Sequence, residues 1–392
     1  MKSLSKCIVA GMCLFLVQQP VHAEDLEQAR TVALEQKELP KLAPRFVYDS
    51  GLKFDYPDAV RGLYVTGHVA GGNKLNELIQ YVDETDLNAM VIDIKDDRGN
   101  VTYKPEDKDS PYSNIGKDYI RKPVDMLKKL EDKKIYPIAR VVVFKDTLLA
   151  KEKPQWSFKD GDKVWKNGRG ESFVNPFLKE VWDYNVGIAI EAAKMGFKEI
   201  QFDYVRFPEG FENKEDDLKY DMGEYEKGNK THTEKRVQAV TDFVAYAKKQ
   251  LEPYGVEVSV DIFGYAATLP EAPGIGQNFS KISENVDVIS SMIYPSHWTS
   301  YFGIEKPDLK PYELVREYAK LENKKLKELE TPPTSRPWIQ DFTASYLGEG
   351  NYQKYGKEQV EAQIKALNDN GIDEYLLWNA ANRYTKGVDY TP

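Results

Sequence analysis

From residue 58 onward, short apolar segments alternate with longer segments whose apolar residues recur at helical spacing. Each apolar segment has the length of a strand and is rich in Val, Ile and aromatic residues, which is typical of buried strands. The alternation predicts eight strands, at about residues 60–67, 88–95, 135–144, within 196–208, 256–264, 286–294, 336–342 and 374–379.

The intervening segments predict amphipathic helices. The helix before the fourth strand has one apolar stripe, formed by Val181, Tyr184, Ile188, Ala192 and Met195. We expect Asn175-Pro176 to start this helix, because Asn caps helices well and Pro is favoured at the first helical position. Gly196 is expected to end it.

Eight strands that alternate with helices favour an α/β protein with a closed (β/α)8 TIM barrel over residues 58–392. A doubly wound open sheet is the alternative. It is disfavoured because no glycine-rich phosphate loop follows the first strand, and Gly71-Gly72-Asn73 does not match a dinucleotide fingerprint. Residues 24–57 are predicted to be a short N-terminal helical extension, whose function the sequence does not indicate.

Residues 1–23 have the pattern of a cleavable signal peptide. Lys2 and Lys6 provide a positive start, residues 7–17 are apolar, and Val21-His22-Ala23 offers a cleavage site. The apolar run is too short for a membrane span. We therefore expect a secreted protein, extracellular or in the cell envelope, with no membrane insertion after cleavage.

Both cysteines, Cys7 and Cys13, fall inside the predicted signal peptide, so the cleaved chain would have no disulfide and no thiol nucleophile. Lipoprotein processing at Cys13 is a weaker alternative, because Met12 stands where a small residue is expected. Cleavage would remove two lysines and no carboxylate, which takes the formal net charge from −9 to −11. Such an acidic protein is a poor partner for nucleic acid.

Two carboxylates occupy matching places near the ends of the fourth and fifth strands, Asp203 and Asp261. The active site of such barrels forms at the C-terminal ends of the strands, and neighbouring strands lie about 4.8 Å apart. Glycoside hydrolysis needs such a pair, one acid and one nucleophile or base, about 5–5.5 Å apart for retention and about 6.5–9.5 Å apart for inversion. The pair is our catalytic candidate. The structural alternative for Asp203 is an ion pair with Arg140 or Arg206.

Other polar and aromatic residues at the strand ends are candidates for binding a carbohydrate. Each could instead serve only packing or charge pairing; Asp93, for example, could pair with Lys95 or Arg140. Gln340 and Asp341 point to opposite faces of their strand, so only one can line the site. The predicted substrate-binding residues are Asp93, Arg140, Arg206, Tyr294, His297, Gln340, Trp378 and Asn379.

Other chemistries find no support in the sequence. No His-Glu-x-x-His or similar spacing indicates a metal site, no Gly-x-Ser-x-Gly elbow indicates an esterase, and no loop is built to hold a phosphate. We therefore expect neither a metal nor a cofactor. A non-catalytic carbohydrate-binding barrel is the alternative function, and the sequence does not indicate an oligomeric state.

Several motifs resemble one known family. Asn175-Pro176, residues 191–208 with Phe-Asp-Tyr-Val-Arg-Phe-Pro at their end, and Asp261-Ile-Phe-Gly264 are similar to a glycoside hydrolase family of bacterial (β/α)8-barrel proteins, long known only as a domain of unknown function. The resemblance runs from about residue 58 to 385 and implies the fold and the reaction class. Amylase-like barrels more widely carry the nucleophile on strand 4 and the acid on strand 5, which implies these roles for Asp203 and Asp261. Those enzymes usually have Glu as the acid, so Asp261 departs from the pattern.

Overall fold

The computed structural model describes residues 47–105, 110–272 and 274–391. Eight parallel strands form its centre, and each lies within two residues of the segment that the sequence predicts, except that the fourth occupies only residues 199–203 of its predicted stretch. Their bounds are β1 Arg61–Val65, β2 Ala89–Lys95, β3 Tyr136–Val142, β4 Glu199–Asp203, β5 Glu257–Phe263, β6 Val288–Met292, β7 Trp338–Gln340 and β8 Tyr375–Trp378.

The strands close into a barrel. Each strand pairs in parallel with the next along the chain, and β8 returns to β1, where Arg61 lies opposite Tyr375. Trp338 of β7 lies opposite Met292 of β6 and opposite Leu376 of β8, which completes the ring. The predicted (β/α)8 barrel is therefore confirmed, and the open-sheet alternative is wrong.

Helices fill most of the connections between strands. None of them in the described residues is both long and apolar enough to cross a membrane. Their bounds are α1 Gly67–Ala70, α2 Lys74–Asp83, α3 Pro123–Asp132, α4 Thr147–Glu152, α5 Lys179–Met195, α6 His232–Leu251, α7 Tyr265–Thr268, α8 Phe279–Ser283, α9 Pro311–Leu326 and α10 Lys357–Asn368.

Helix α5 begins later than its sequence pattern predicts. The Asn175 side chain accepts a hydrogen bond from the Phe177 N–H and caps a turn, and the helix starts only at Lys179. The predicted end is correct, because Gly196 has a left-handed backbone with φ +118°. A Cβ there would lie 2.6 Å from a Leu52 methyl, so the close approach also requires glycine.

Side chains alternate between the barrel interior and the helix layer, as the period of a strand requires. On β5, Val258 and Val260 face the helices, and Asp261 faces inward. Strand β2 breaks the rule, because its pairing with β3 shifts between Asp93 and Lys95. The interior is filled by a separate apolar cluster of Val60, Tyr64, Ala89, Val91, Tyr136, Ile138, Tyr294, Trp338 and Leu376.

The N-terminal end of the barrel is closed by an ion-pair network. The fully buried Arg336 guanidinium donates to Glu199 at 2.7 Å and to Glu374 at 2.7 Å. It also donates to the Tyr56 hydroxyl at 2.7 Å, so part of the predicted extension covers this end. The predicted signal peptide and residues 24–46 of the predicted extension lie outside the described residues.

Candidate active site

A cavity of about 440 Å³ opens at the C-terminal ends of the strands. Both predicted catalytic carboxylates line it, together with five of the eight predicted substrate-binding residues. These seven are Asp203, Asp261, Arg140, Arg206, Tyr294, His297 and Trp378. The strand ends that the sequence singles out therefore meet in one place.

Asp203 ends β4 and is almost fully buried. Its Oδ2 accepts hydrogen bonds from Arg140 Nε at 3.0 Å and Nη2 at 2.6 Å, and its Oδ1 accepts from the Tyr204 N–H at 2.6 Å. Tyr204 has φ +52°, a left-handed conformation that is costly for a non-glycine residue. This strained turn directly after the strand sets the direction of the Asp203 carboxylate.

Arg140 on β3 joins three carboxylates. Besides Asp203, its guanidinium donates to Asp93 at 2.7 Å and to Asp97 at 2.9 Å. It lies 5.6 Å from the ring centres of both Tyr64 and Trp378, a distance typical of cation–π contacts. These contacts hold Arg140 in place, with its positive charge at the cavity.

Asp93 lies beneath Arg140 rather than on the cavity wall. Its second oxygen accepts from the Tyr64 hydroxyl at 2.5 Å, and burial raises the pKa of Asp93 to about 6 against the opposing effect of Arg140. Both carboxylate oxygens are therefore occupied within the protein. The predicted contact of Asp93 with substrate finds no counterpart in this geometry, and Asp93 instead supports Arg140.

Asp261 lies level with Asp203 on the neighbouring strand, because Phe202 of β4 pairs with Val260 of β5. Its Oδ1 accepts a hydrogen bond from the Trp338 indole N–H at 2.7 Å. Burial, and then the charge of Asp203, raise the pKa of Asp261 well above its usual value. The two carboxyl groups therefore share one cavity in opposite surroundings, Asp203 beside a guanidinium and Asp261 in an apolar wall.

Tyr294 and His297 follow β6 and line the same cavity. Burial, and then the charges of Asp261 and Asp203, raise the pKa of Tyr294 well above its usual value. Its protonated hydroxyl has no hydrogen-bond partner among the residues that the structure describes. Burial lowers the pKa of His297, so its ring is neutral at pH 7. Both groups can form hydrogen bonds with a neutral, hydroxylated ligand.

Two predicted binding residues are not brought to this cavity. The fully buried Gln340 accepts from the Ser296 N–H at 3.0 Å and donates to Asp308 at 3.0 Å. Asn379 donates to the backbone oxygens of Asp341 and Arg383 at 2.6 and 2.7 Å. Their amide groups form hydrogen bonds that hold loops in place. Their positions therefore do not support the prediction that they bind substrate in this cavity.

Arg206 lies on the cavity wall, although it is three residues beyond Asp203. Its guanidinium lies 4.8 Å from the Phe263 ring centre, and it donates to Glu209 at 3.0 Å. The sequence prediction missed several other lining residues, most of them in loops without a periodic pattern. They include Asp97, Arg169, Glu209, Tyr265, Trp298 and Trp338.

The site offers carboxylate oxygens, and those of Asp93, Asp97 and Asp203 accept hydrogen bonds from Arg140. No group of three or more His, Cys, Asp or Glu residues within 47–105, 110–272 and 274–391 is arranged to hold a metal ion. What the cavity provides is a pair of carboxyl groups, a phenol, an imidazole and aromatic walls. This set suits acid–base or nucleophilic chemistry on a neutral, hydroxyl-rich molecule.

Solved structures share the fold of this chain. The glycoside hydrolase domain of PgaB (BpsB) from Bordetella bronchiseptica has a TM-score of 0.58 at 13% identity, covering 82% of this chain and 94% of that one. A beta-galactosidase from the psychrophilic Marinomonas ef1 has a TM-score of 0.52 at 12% identity, covering 82% of this chain and 54% of that one.

A hypothetical protein from Ruminiclostridium thermocellum ATCC 27405 is 32% identical over 51% of this chain and 96% of its own, with a TM-score of 0.44. No curated protein sequence matches the chain. A family model described as "Putative glycosyl hydrolase domain" matches residues 62–384, from β1 to beyond β8. Because the match spans most of the chain and the whole barrel, the protein belongs to this glycosyl hydrolase family.

Proposed function

We propose that this protein hydrolyses O-glycosidic bonds of a poly- or oligosaccharide, with Asp261 as the general acid and Asp203 as the nucleophile or base. The observation that carries the proposal is the contrast between the two carboxyl groups. Burial raises the pKa of Asp261, which favours its protonated form, whereas Asp203 accepts two hydrogen bonds from Arg140. Carboxyl groups in such different surroundings are how one site holds an acid and a base at the same pH.

The strand positions favour the retaining route. Asp203 and Asp261 stand level on neighbouring strands, which lie about 4.8 Å apart, and retention needs carboxyl groups about 5–5.5 Å apart. In this reaction Asp261 protonates the leaving oxygen while Asp203 attacks the anomeric carbon. Asp261 then removes a proton from the water that releases the sugar.

The other groups in the cavity would bind and orient the sugar. The free hydroxyl of Tyr294 can donate to a sugar oxygen, and the Trp378 ring, stacked 4.1 Å from Tyr64, offers a flat apolar surface. His297 and Arg206 add further donors to the cavity wall. The combination of aromatic surface with a few polar groups is typical of sites that bind small molecules.

The first test replaces each carboxyl group by its amide. Asp203→Asn and Asp261→Asn should each lower the turnover of polysaccharides and aryl glycosides by about 10²–10⁴-fold, the usual contribution of one acid–base group. The measurement is reducing-sugar and aryl release, with thermal melting to confirm folding. Asp118→Asn, on an exposed loop, is the matched control and should keep wild-type activity.

The leaving group separates the two roles. A good aryl leaving group departs without protonation, so Asp261→Asn should lose much less activity on nitrophenyl than on phenyl glycosides, and Asp203→Asn should lose similar activity on both. Equal sugar release by wild type and Asp203→Asn would remove Asp203 from the reaction. A protein that binds glycans but cleaves none would be the carbohydrate-binding barrel instead.

We also propose that the protein is secreted through cleavage of residues 1–23. The positive start, the apolar run and the Val21-His22-Ala23 site support this. Expression in a bacterial host should give a product in the periplasm or medium that begins at Glu24. N-terminal sequencing of fractionated cells tests it, with Ala23→Arg as the variant that should block processing. A full-length product in the cytoplasm would contradict secretion.

A further inference from the structure

A second open space continues the cavity on one side. It is a groove of about 590 Å³ between the loops that follow β6, β7 and β8. The groove shares His297 and Trp378 with the catalytic cavity and adds Phe342 and Tyr346. The two spaces therefore meet along a common wall at the C-terminal face of the barrel.

Tyr346 stands out in this groove because its large side chain is exposed. The residue is 67% exposed, on the short turn Ser345–Leu347 that follows β7. Its hydroxyl donates to Ser296 Oγ at 3.1 Å, across from the neighbouring loop. This bond holds the ring beside the groove and lowers the entropy that a ligand would have to remove on stacking against it.

A line of rings connects the groove to the catalytic cavity. The Tyr294 ring centre lies 6.1 Å from that of Phe342 and 6.3 Å from that of Trp378. The His297 ring bridges the two spaces, 5.1 Å from Tyr294 and 6.5 Å from Phe342. A chain of neighbouring rings therefore leads from the catalytic cavity to Phe342 in the groove.

We propose that this groove is a further sugar subsite, occupied by the continuation of the substrate's own glycan chain, with Tyr346 as its stacking platform. The inference rests on the proposed glycoside hydrolase function and extends it to a substrate longer than the cavity alone can hold. Continuity with the catalytic cavity selects this occupant. A flat ring with a tethered hydroxyl, above a floor of further rings, matches the apolar face and polar edge of a sugar.

The Tyr346 hydroxyl has a second effect, on His297. Ser296 Oγ accepts from Tyr346 and lies within hydrogen-bond distance of His297 Nδ1, at 3.1 Å. When Ser296 donates its own proton to Nδ1, the neutral imidazole carries its proton on Nε2, which can then donate to a sugar oxygen. The ring of Tyr346 therefore acts on the distal sugar, and its hydroxyl acts on the cavity through His297.

The experiment separates the ring from the hydroxyl. Tyr346→Ala removes both, Tyr346→Phe removes only the hydroxyl, and Tyr48→Ala is the control for an exposed tyrosine elsewhere. The kcat/KM of each is measured on aryl monoglycosides and on malto-, cello- and chito-oligosaccharides of two to six units. On the longer chains, the kcat/KM of Tyr346→Ala should be about five- to tenfold below that of Tyr346→Phe, a typical loss for one aromatic contact. On the monoglycosides the two values should be equal.

Each outcome decides the question. If Tyr346→Ala and Tyr346→Phe remain equal at every chain length, the groove does not hold the glycan, and the catalytic proposal stands. If Tyr48→Ala shows the same dependence on length, the effect does not belong to the groove. If wild type cleaves none of these substrates but Asp203→Asn still binds the longer chains, the subsite remains and the catalytic role fails. If there is neither cleavage nor binding, both proposals are overturned.

Discussion

At the scale of single residues, the site makes two chemically identical carboxyl groups different. Asp203 is surrounded by donors, two from Arg140 and one from its own neighbour's N–H. Asp261 receives one donor, the Trp338 indole, and otherwise meets apolar surface and the charge of Asp203. Burial, followed by the charge of Asp203, outweighs the opposing effects of Arg140 and the Trp338 indole and raises the pKa of Asp261.

The Trp338 indole therefore adjusts the pKa of the proposed acid, Asp261. Its hydrogen bond works against burial and lowers the pKa of Asp261, so Trp338→Phe should raise that pKa further. A general acid is active while protonated, and a higher pKa keeps it protonated to higher pH. The alkaline limb of the kcat/KM profile should consequently move to higher pH, which a pH series on one glycoside measures.

Trp182→Phe is the matched control for this change. Trp182 also buries an indole N–H, which donates to the Pro176 oxygen at 2.7 Å, but it lies on α5 away from the cavity. Its pH profile should keep the wild-type limb. An unmoved limb in Trp338→Phe would assign the limb to a group other than Asp261.

At the scale of elements, the irregularity in β2 places two charged residues on opposite sides of the barrel wall. Asp93 faces inward to Arg140, and Lys95 faces outward, fully buried against the helix layer. Lys95 Nζ lies 2.7 Å from Asp146 and 2.9 Å from Asn185. One local shift in pairing thus lets a single strand support both the active site and the packing of α4 and α5.

The Lys95–Asp146 pair should be important for stability. Lys95→Met leaves the Asp146 carboxylate buried without its cation, which costs about 3–5 kcal/mol in comparable proteins. Urea unfolding measures the loss. Adding Asp146→Asn should restore part of it, because the amide is neutral and can still accept from the Leu149 N–H that it caps.

The matched control is an ion pair on the surface. Lys133 and Asp83 are also 2.7 Å apart, with side chains 46% and 42% exposed. Lys133→Met should cost no more than about 1 kcal/mol, because water screens the pair. If Lys95→Met and Lys133→Met lose the same free energy of unfolding, the Lys95–Asp146 pair is not what holds β2 to its helices.

At the scale of the whole molecule, the sequence predicts the barrel well because strands and helices have different periods. The period of two also places Asp261 and Val260 on opposite faces, as the structure shows. Element ends are less predictable. Asn175 can cap a helix or a turn with equal ease, and only the position of Phe177 in the folded chain decides for the turn.

The predicted site residues come together where they lie on regular strands, and the predicted set omits lining residues that lie elsewhere. Asp203 and Asp261 meet because neighbouring strands bring them to one level, and Arg140, which is level with Gln201, reaches Asp203 with its long side chain. Gln340 lies at a strand end but is enclosed by loops that carry Ser296 and Asp308, contacts that no local pattern reveals. Arg169, Glu209 and Tyr346 were missed for the same reason, since they lie on loops whose course depends on distant contacts.

The closed N-terminal end of the barrel affects how substrate and products move. Arg336 and Glu199 are fully buried at the far end and bonded to each other, and Arg336 also donates to Tyr56, so among the described residues the cavity does not open through that end. A polymer cannot thread through the molecule and must lie across its face. The incoming water and the departing sugar then share the entrance with the chain that has just been cut. The rate at which products leave this entrance therefore sets an upper limit on the turnover rate of the enzyme.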